Sequence, residues 1–306
     1  MSWQEVLQSP RPPKASQLAK LSYLSETQQE ELAHIWPRLP LERRRSVVRM
    51  LYHLMEDNLD LNFHSVFLLA LEDEDPEVRA VAVRGLWEYE GRDLIPKLLR
   101  LLESDPAPVV RAEAALVLGQ FVLRFHMGQL RERDFRPIEE ALRRVTQDAQ
   151  EPAEVRARAL EAIGPMGELP WVREAIREAF ESGHYRLRIA AIHAMGRSAD
   201  PRWLPILLRE LQSEEPECRY EAALACGAIG HVRAVPHLAP LLDDDDMEVR
   251  QAAIAALGQI GGPEAKELLL PLRADPSPAI REAVTAALAE LGFQEDPFAL
   301  GSIIDE

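Results

Sequence analysis

The stretch Leu241–Gly258, LLDDDDMEVRQAAIAALG, decides the fold. Four successive aspartates ahead of an alanine-rich run invite a reading as a cation-binding loop. The residues behind them carry Val249, Ala253, Ile254, Leu257 and Ile260 at helical spacing and stop at Gly261-Gly262-Pro263, which reads as a helix with a sharp end. Whether the acids are a metal site or punctuation depends on whether the stretch recurs.

It recurs through most of the chain. An arginine stands at Arg79, Arg111, Arg156, Arg188, Arg219, Arg250 and Arg281, at intervals of 32, 45, 32, 31, 31 and 31 residues. Three residues after each come Ala82, Ala114, Ala159, Ala191, Ala222, Ala253 and Val284, and eight after each come Trp87, Gly119, Gly164, Gly196, Gly227, Gly258 and Ala289. Agreement in several columns at once marks a structural repeat of two helices per unit. The second helices carry an apolar-proline pair at Ile95-Pro96, Leu204-Pro205 and Val235-Pro236, tolerated because a first helical turn has no internal partner for the missing N–H. Pro40–Asp57 and Asn62–Leu71 add an earlier, degenerate unit.

These columns resemble HEAT repeats of the short bacterial type, the phycobilisome-lyase HEAT-like repeats, over about residues 75–291. The resemblance implies an all-α HEAT-repeat solenoid of seven or eight helix pairs, with second helices lining the concave side. It also implies a ladder in which turn acids such as Asp75 and Asp246 meet the repeat arginines. No helix pair can bury its apolar face alone, so stability is expected from neighbour interfaces. Residues 1–16 are expected to be disordered, 17–39 to form a helical cap opened by the capping box Ser25-Glu26-Thr27-Gln28, 40–291 to form the solenoid, and 292–306 to form a tail folded on the last repeat. The single register break, 45 − 32 = 13 extra residues within Phe121–Pro137, is either a lengthened first helix followed by a second helix from Pro137 to Ala149, or a binding loop.

Against this frame the aspartates lose their singularity. The positions of Asp243–Asp246 read EDED before Arg79 and QSEE before Arg219, so they form an inter-repeat turn whose last acid can cap the next helix. A calcium site would need some six to eight converging oxygens.

Composition narrows function. Acids outnumber bases 51 to 35, a formal charge of −16, which argues against nucleic acid as the main ligand. No apolar run is long enough to span a membrane, and no charged start precedes an apolar run, so a cytoplasmic chain without membrane contact is expected. Cys218 and Cys226 lie eight apart on one helix, about 12 Å, too far for a disulfide. The eight histidines form no metal-ligand spacing, and no cofactor is expected. Deoxyhypusine hydroxylase, a HEAT-repeat enzyme, holds iron through His-Glu dipeptides. The comparable stretch here is Tyr220-Glu221, and His-Glu occurs nowhere, which sets the chain apart from that enzyme.

What remains is a surface. Columns of the second helices collect Lys97, Arg100, Arg177, Arg202, Arg209, Arg233 and His237, with Trp171 and Trp203 in one shared column. The expectation is a non-enzymatic protein-interaction scaffold or adaptor whose partly basic stripe recruits an acidic protein segment. The competing reading is a chromophore-lyase-type enzyme or subunit acting on a tetrapyrrole-binding protein.

Overall fold

The computed structural model describes residues 2–9, 11–58 and 60–295, and within them every regular element is helical. The helices are α1 (Trp3–Gln8), α2 (Ala15–Leu18), α3 (Glu26–Ile35), α4 (Leu41–Asp57), α5 (His64–Ala70) and α6 (Pro76–Arg84). They continue with α7 (Leu94–Ser104), α8 (Pro108–His126), α9 (Glu132–Gln147), α10 (Ala153–Ile163), α11 (Pro170–Glu181) and α12 (Tyr185–Arg197). The last are α13 (Leu204–Glu210), α14 (Pro216–Ile229), α15 (Val235–Leu238), α16 (Met247–Ile260), α17 (Gly262–Leu269) and α18 (Pro278–Glu295). From α4 onward the even-numbered helices are first helices and the odd-numbered ones second helices. The chain divides into two compact units between Ala162 and Ile163. Among the described residues no helix is long and apolar enough to cross a membrane.

Within each unit the first helices pack on one another through one seam. The glycine eight after the repeat arginine meets the alanine six after the next arginine. A β-carbon added to Gly196 would lie 2.7 Å from Ala225 Cα, one on Gly227 would lie 2.8 Å from Ala256 Cα, and one on Gly258 would lie 2.9 Å from Ala287 Cα. In the first unit Gly119 approaches Ala162 in the same way. Gly227 and Gly258 lie inside α14 and α16, so their value is the missing side chain; the turns belong instead to Gly230 and Gly261, at φ 68° and 74°. The alanines three after the first six arginines, Ala82, Ala114, Ala159, Ala191, Ala222 and Ala253, and Val284 after the seventh, are fully buried.

A polar ladder runs beside it. Arg219 donates to both carboxylate oxygens of Asp244 at 2.7 and 2.8 Å and to the Ser213 and Glu214 carbonyls of its own turn. Arg79 repeats this with Asp105 and the Asp73 and Glu74 carbonyls, and Arg250 reaches Asp275 at 2.9 Å. Arg111 pairs with Glu151, Arg188 with Glu210, Arg156 reaches the Thr146 carbonyl, and Arg281 reaches the Asp275 carbonyl. The ladder acid is therefore not the one expected. Asp246 does not meet Arg250: it caps α16, accepting the Glu248 and Val249 N–H groups. Asp75 caps α6 through Val78 N–H and is gripped across the turn by Arg45, not by Arg79. The reason is reach. The acid two residues earlier also closes an Asx turn, Asp244 accepting the Asp246 N–H, which aims its carboxylate back at the preceding repeat. In the degenerate unit Arg44 fills the role, nearly buried against Asp73 at 3.2 Å.

Two boundaries differ from the sequence expectation. The segment taken as disordered holds α1, closed by a Ser2–Glu5 capping box, with Trp3, Val6 and Leu7 buried. Its apolar residues stand at i, i+3 and i+4, and the prolines follow the helix instead of interrupting it. Arg43 ties the connecting chain down through the Ser9 and Arg11 carbonyls. The insertion is the lengthened α8 and a short loop, but α9 begins at Glu132, so Pro137 sits inside it. Pro137 is exposed, which leaves the freed carbonyl of Arg133 open to water. Phe125 and Phe135 stack at 3.9 Å and join the two helices. The Ser25 capping box opens α3 as expected. The fold of the tail beyond Glu295 lies outside the described residues.

Two measurements test this packing. Gly227→Ala should destabilise by about 1–3 kcal/mol despite its better helix propensity, because the Gln259 side chain can swing away but the Ala256 backbone behind it cannot; urea unfolding measures it. Arg219 holds the Asp244 carboxyl below the ordinary carboxylate range, so its contribution is present above about pH 4 and lost as pH falls through the folded value. The stability difference between the wild type and Asp244→Asn should be largest near neutrality and shrink as pH falls below the ordinary carboxylate range.

Candidate functional site

The stripe of second-helix columns is less bare than its sequence suggests. Arg100 is held by Glu72, Arg177 by Glu174 at 2.6 Å, and Arg202 by Asp200 at 2.5 Å. Lys97 is half-buried on α7. Trp203 is 5% exposed and serves packing, and Trp171 is half-buried at the start of α11. Arg209 is exposed and lines a shallow cleft with Phe180, Tyr185 and Glu210, its Nε reaching only the Pro205 carbonyl. Arg233 and His237 are exposed on the segment around α15. Trp203 is thus buried in the structure, and three of the arginines already face a carboxylate.

A well-formed cleft lies elsewhere, among first helices of the first unit. It has a volume of about 590 Å³ and is lined by Tyr52 and Met55 of α4, Trp87 after α6, and Leu116 and Val117 of α8. Its origin is a break in the glycine–alanine seam. At the crossing of α6 and α8 the glycine column holds Trp87 and the facing alanine column holds Val117, and both line the cleft. Two bulky side chains forbid the close approach made elsewhere. Helix α6 also ends early, at Gly85, whose own missing side chain admits the Phe67 ring. The indole is left 47% exposed.

Charges around this cleft are unevenly matched. Arg84 is bound by Glu113 and lies 5.8 Å from the Tyr52 ring centre, while Arg158 is bound by Glu154 and Glu161. Burial, together with hydrogen bonding to Glu56, raises the Tyr52 phenol above its ordinary pKa. Glu56 also meets His53 at 3.2 Å. Glu88 is exposed and makes no side-chain hydrogen bond or ion pair among the described residues. Once the internal pairs are set aside, the mouth is negative.

A second cleft, about 510 Å³, sits among first helices of the second unit, lined by Tyr185, Tyr220, Glu217, Glu221, Asp246 and Glu248 among others. The Tyr185 hydroxyl donates to Glu217 at 2.7 Å, and burial with that carboxylate pushes its pKa up. Cys226 is buried and its thiol is pushed up to about 12. No group of three or more His, Cys, Asp or Glu side chains among the described residues is arranged to hold a metal ion.

The family model described as HEAT repeats matches residues 65–148, 173–254 and 204–289, more than half of the chain. This is a HEAT-repeat protein. The HEAT-repeat chain is 34% identical over 94 residues to deoxyhypusine hydroxylase of Rattus norvegicus, a match covering 30% of this chain and 31% of that enzyme. The match therefore spans about a third of that enzyme's length. Tyr220 and Glu221 line the second cleft. In fold the HEAT-repeat chain is similar to the complex of CpcE and CpcF of phycocyanin lyase from a Nostoc species. That similarity has a TM-score of 0.54 and 18% identity, and covers 93% of this chain and 97% of that one. It is also similar in fold to a karyopherin bound to the extreme C-terminus of a protein phosphatase, at a TM-score of 0.52 and 15% identity, covering 95% of this chain and 38% of that one.

The Trp87 cleft was missed by sequence reasoning, although its signal was present: tryptophan in a glycine column. Of the five tryptophans, Trp3, Trp36 and Trp203 are buried. Acrylamide should therefore quench a solvent-exposed, red-shifted component of the emission, and Trp87→Phe should remove most of it.

Proposed function

We propose that this protein is a non-enzymatic interaction scaffold, and that the Trp87 cleft is its main docking site. The observation that carries the reading is an exposed tryptophan beside a tyrosine and aliphatic side chains, in a cleft produced by a local departure from the repeat's own packing rule. A large, rigid aromatic side chain in a pocket is the kind of group that dominates protein–protein binding energy. Two HEAT-like structures of similar fold are complexes with protein partners, which supports the same class of role.

An acidic segment on the second-helix stripe finds less support. Arg100, Arg177 and Arg202 would each have to exchange an existing carboxylate for the partner's. The enzyme reading, a subunit acting on a tetrapyrrole-binding protein, rests on likeness of fold to the phycocyanin lyase complex. Fold does not carry function by itself. A bacterial, lyase-like repeat type remains part of that reading.

The test is affinity capture with the full chain, followed by mass spectrometry and titration of the captured partner. A stoichiometric protein partner whose affinity falls by about tenfold or more in Trp87→Ala, at unchanged helical content and melting temperature, is the expected result. Undiminished binding by that variant overturns the assignment of the site. Tetrapyrrole absorbance transferred to an acceptor protein by the purified chain would replace the scaffold reading with the lyase one.

A further inference from the structure

The chemistry of the Trp87 cleft points to the kind of side chain that would fill it, on the reading that the cleft docks a protein. Its floor is apolar: Met55, Leu116 and Val117. Its lining also holds the half-exposed Trp87 indole and the Tyr52 ring. Its mouth holds carboxylates in excess. Glu113 is neutralised by Arg84, and Arg158 by its own neighbours on α10. Glu88 makes no side-chain hydrogen bond or ion pair among the described residues and acts electrostatically on the half-buried His64, while Glu56 meets His53 and the Tyr52 hydroxyl and acts electrostatically on Arg84.

A partner carboxylate would meet Glu88 and Glu56 at the mouth and would have to displace Glu113 from Arg84. A purely apolar segment would bury the indole while stripping water from an uncompensated Glu88, which is costly. A cation avoids both penalties. Its charge can pair with Glu88 and lie over the electron-rich indole face, and its aliphatic stem can cover the apolar floor. Lysine and arginine are the side chains with that division of stem and head.

The rest of the molecule is consistent with the same choice. The chain carries a net charge of −16, so a basic segment is drawn towards it at long range while an acidic one is repelled. The cleft in the second unit pairs two tyrosines with four carboxylates and has no basic side chain in its lining, the same aromatic and acidic chemistry found independently in a second place.

We propose that the Trp87 cleft recognises a basic protein segment, inserting a lysine or arginine side chain between the indole and Glu88 with an adjacent apolar residue on Met55, Leu116 and Val117.

The experiment uses the full chain and short fluorescently labelled peptides of one length that alternate leucine with arginine, with glutamine or with glutamate, followed by anisotropy at about physiological salt. General attraction to an acidic protein is separated from the cleft by comparing two charge-matched variants. Glu56→Gln with Glu88→Gln alters the mouth, and Glu26→Gln with Glu30→Gln alters exposed positions of α3. The expected result is binding of the arginine peptide only, weakened about tenfold by the mouth variant and by Trp87→Ala, and less than about twofold by the α3 variant. Substantial retention in Trp87→Phe is expected, since a ring face is kept. Equal losses in the two charge-matched variants would show diffuse attraction and overturn the proposal, as would preference for the glutamate or glutamine peptide. A native partner lost in Trp87→Ala but unaffected by the mouth variant would overturn the basic side chain while leaving the docking site itself standing.

Discussion

The constraint on which the rest depends is the distance between successive first helices. Glycine against alanine lets α12, α14, α16 and α18 approach until backbone meets backbone, and the repeat's other features are adjusted to that spacing. The repeat arginine reaches the next turn's aspartate across these crossings, and Arg79 reaches Asp105 even where Trp87 and Val117 replace the glycine and the alanine. Once the pair forms, it fixes the turn that launches the next helix. Apolar burial supplies the driving force, and the seam and ladder set the register in which it is collected. A buried ion pair is weak as a source of net stability but strict about geometry, which is the service a repeating stack needs.

The columns legible in the sequence were those in which many copies agree. Arginine, alanine and glycine recur at fixed offsets, so helix pairing, repeat length and the buried character of Ala222 or Ala253 follow from spacing alone. The proline pairs that open α7, α13 and α15 are legible for the same reason: they mark helix starts by chemistry that needs no tertiary context. Legibility failed where geometry chooses between near neighbours. Asp244 and Asp246 are equally acidic and two residues apart, and only the folded turn shows that one crosses to the neighbouring repeat while the other caps its own helix. Pro137 misled because a proline usually opens a helix, whereas an exposed carbonyl four residues earlier can be satisfied by water.

The functional surface illustrates the opposite weakness. Listing cations by column found Arg100, Arg177 and Arg202 but could not see Glu72, Glu174 and Asp200 beside them, because ion pairing between neighbouring elements is not periodic in sequence. Trp87 carried the more useful message by disagreeing with its column. In a repeat protein a consensus residue reports what stacking requires, and a departure reports where stacking has been given up. The cleft between α6 and α8 is what is gained there.

The ladder also defines where one module ends. Asp244 and Asp275 occupy equivalent places 275 − 244 = 31 residues apart, each closing its own turn and each receiving the arginine from the unit before. A cut at either aspartate severs the same set of contacts. Chain excised or duplicated between two such points would present at each junction the partners already present, so the number of units could change without inventing an interface. The first unit's Trp87–Val117 crossing departs from that pattern, so chain copied between Asp244 and Asp275 would not carry the Trp87 cleft with it.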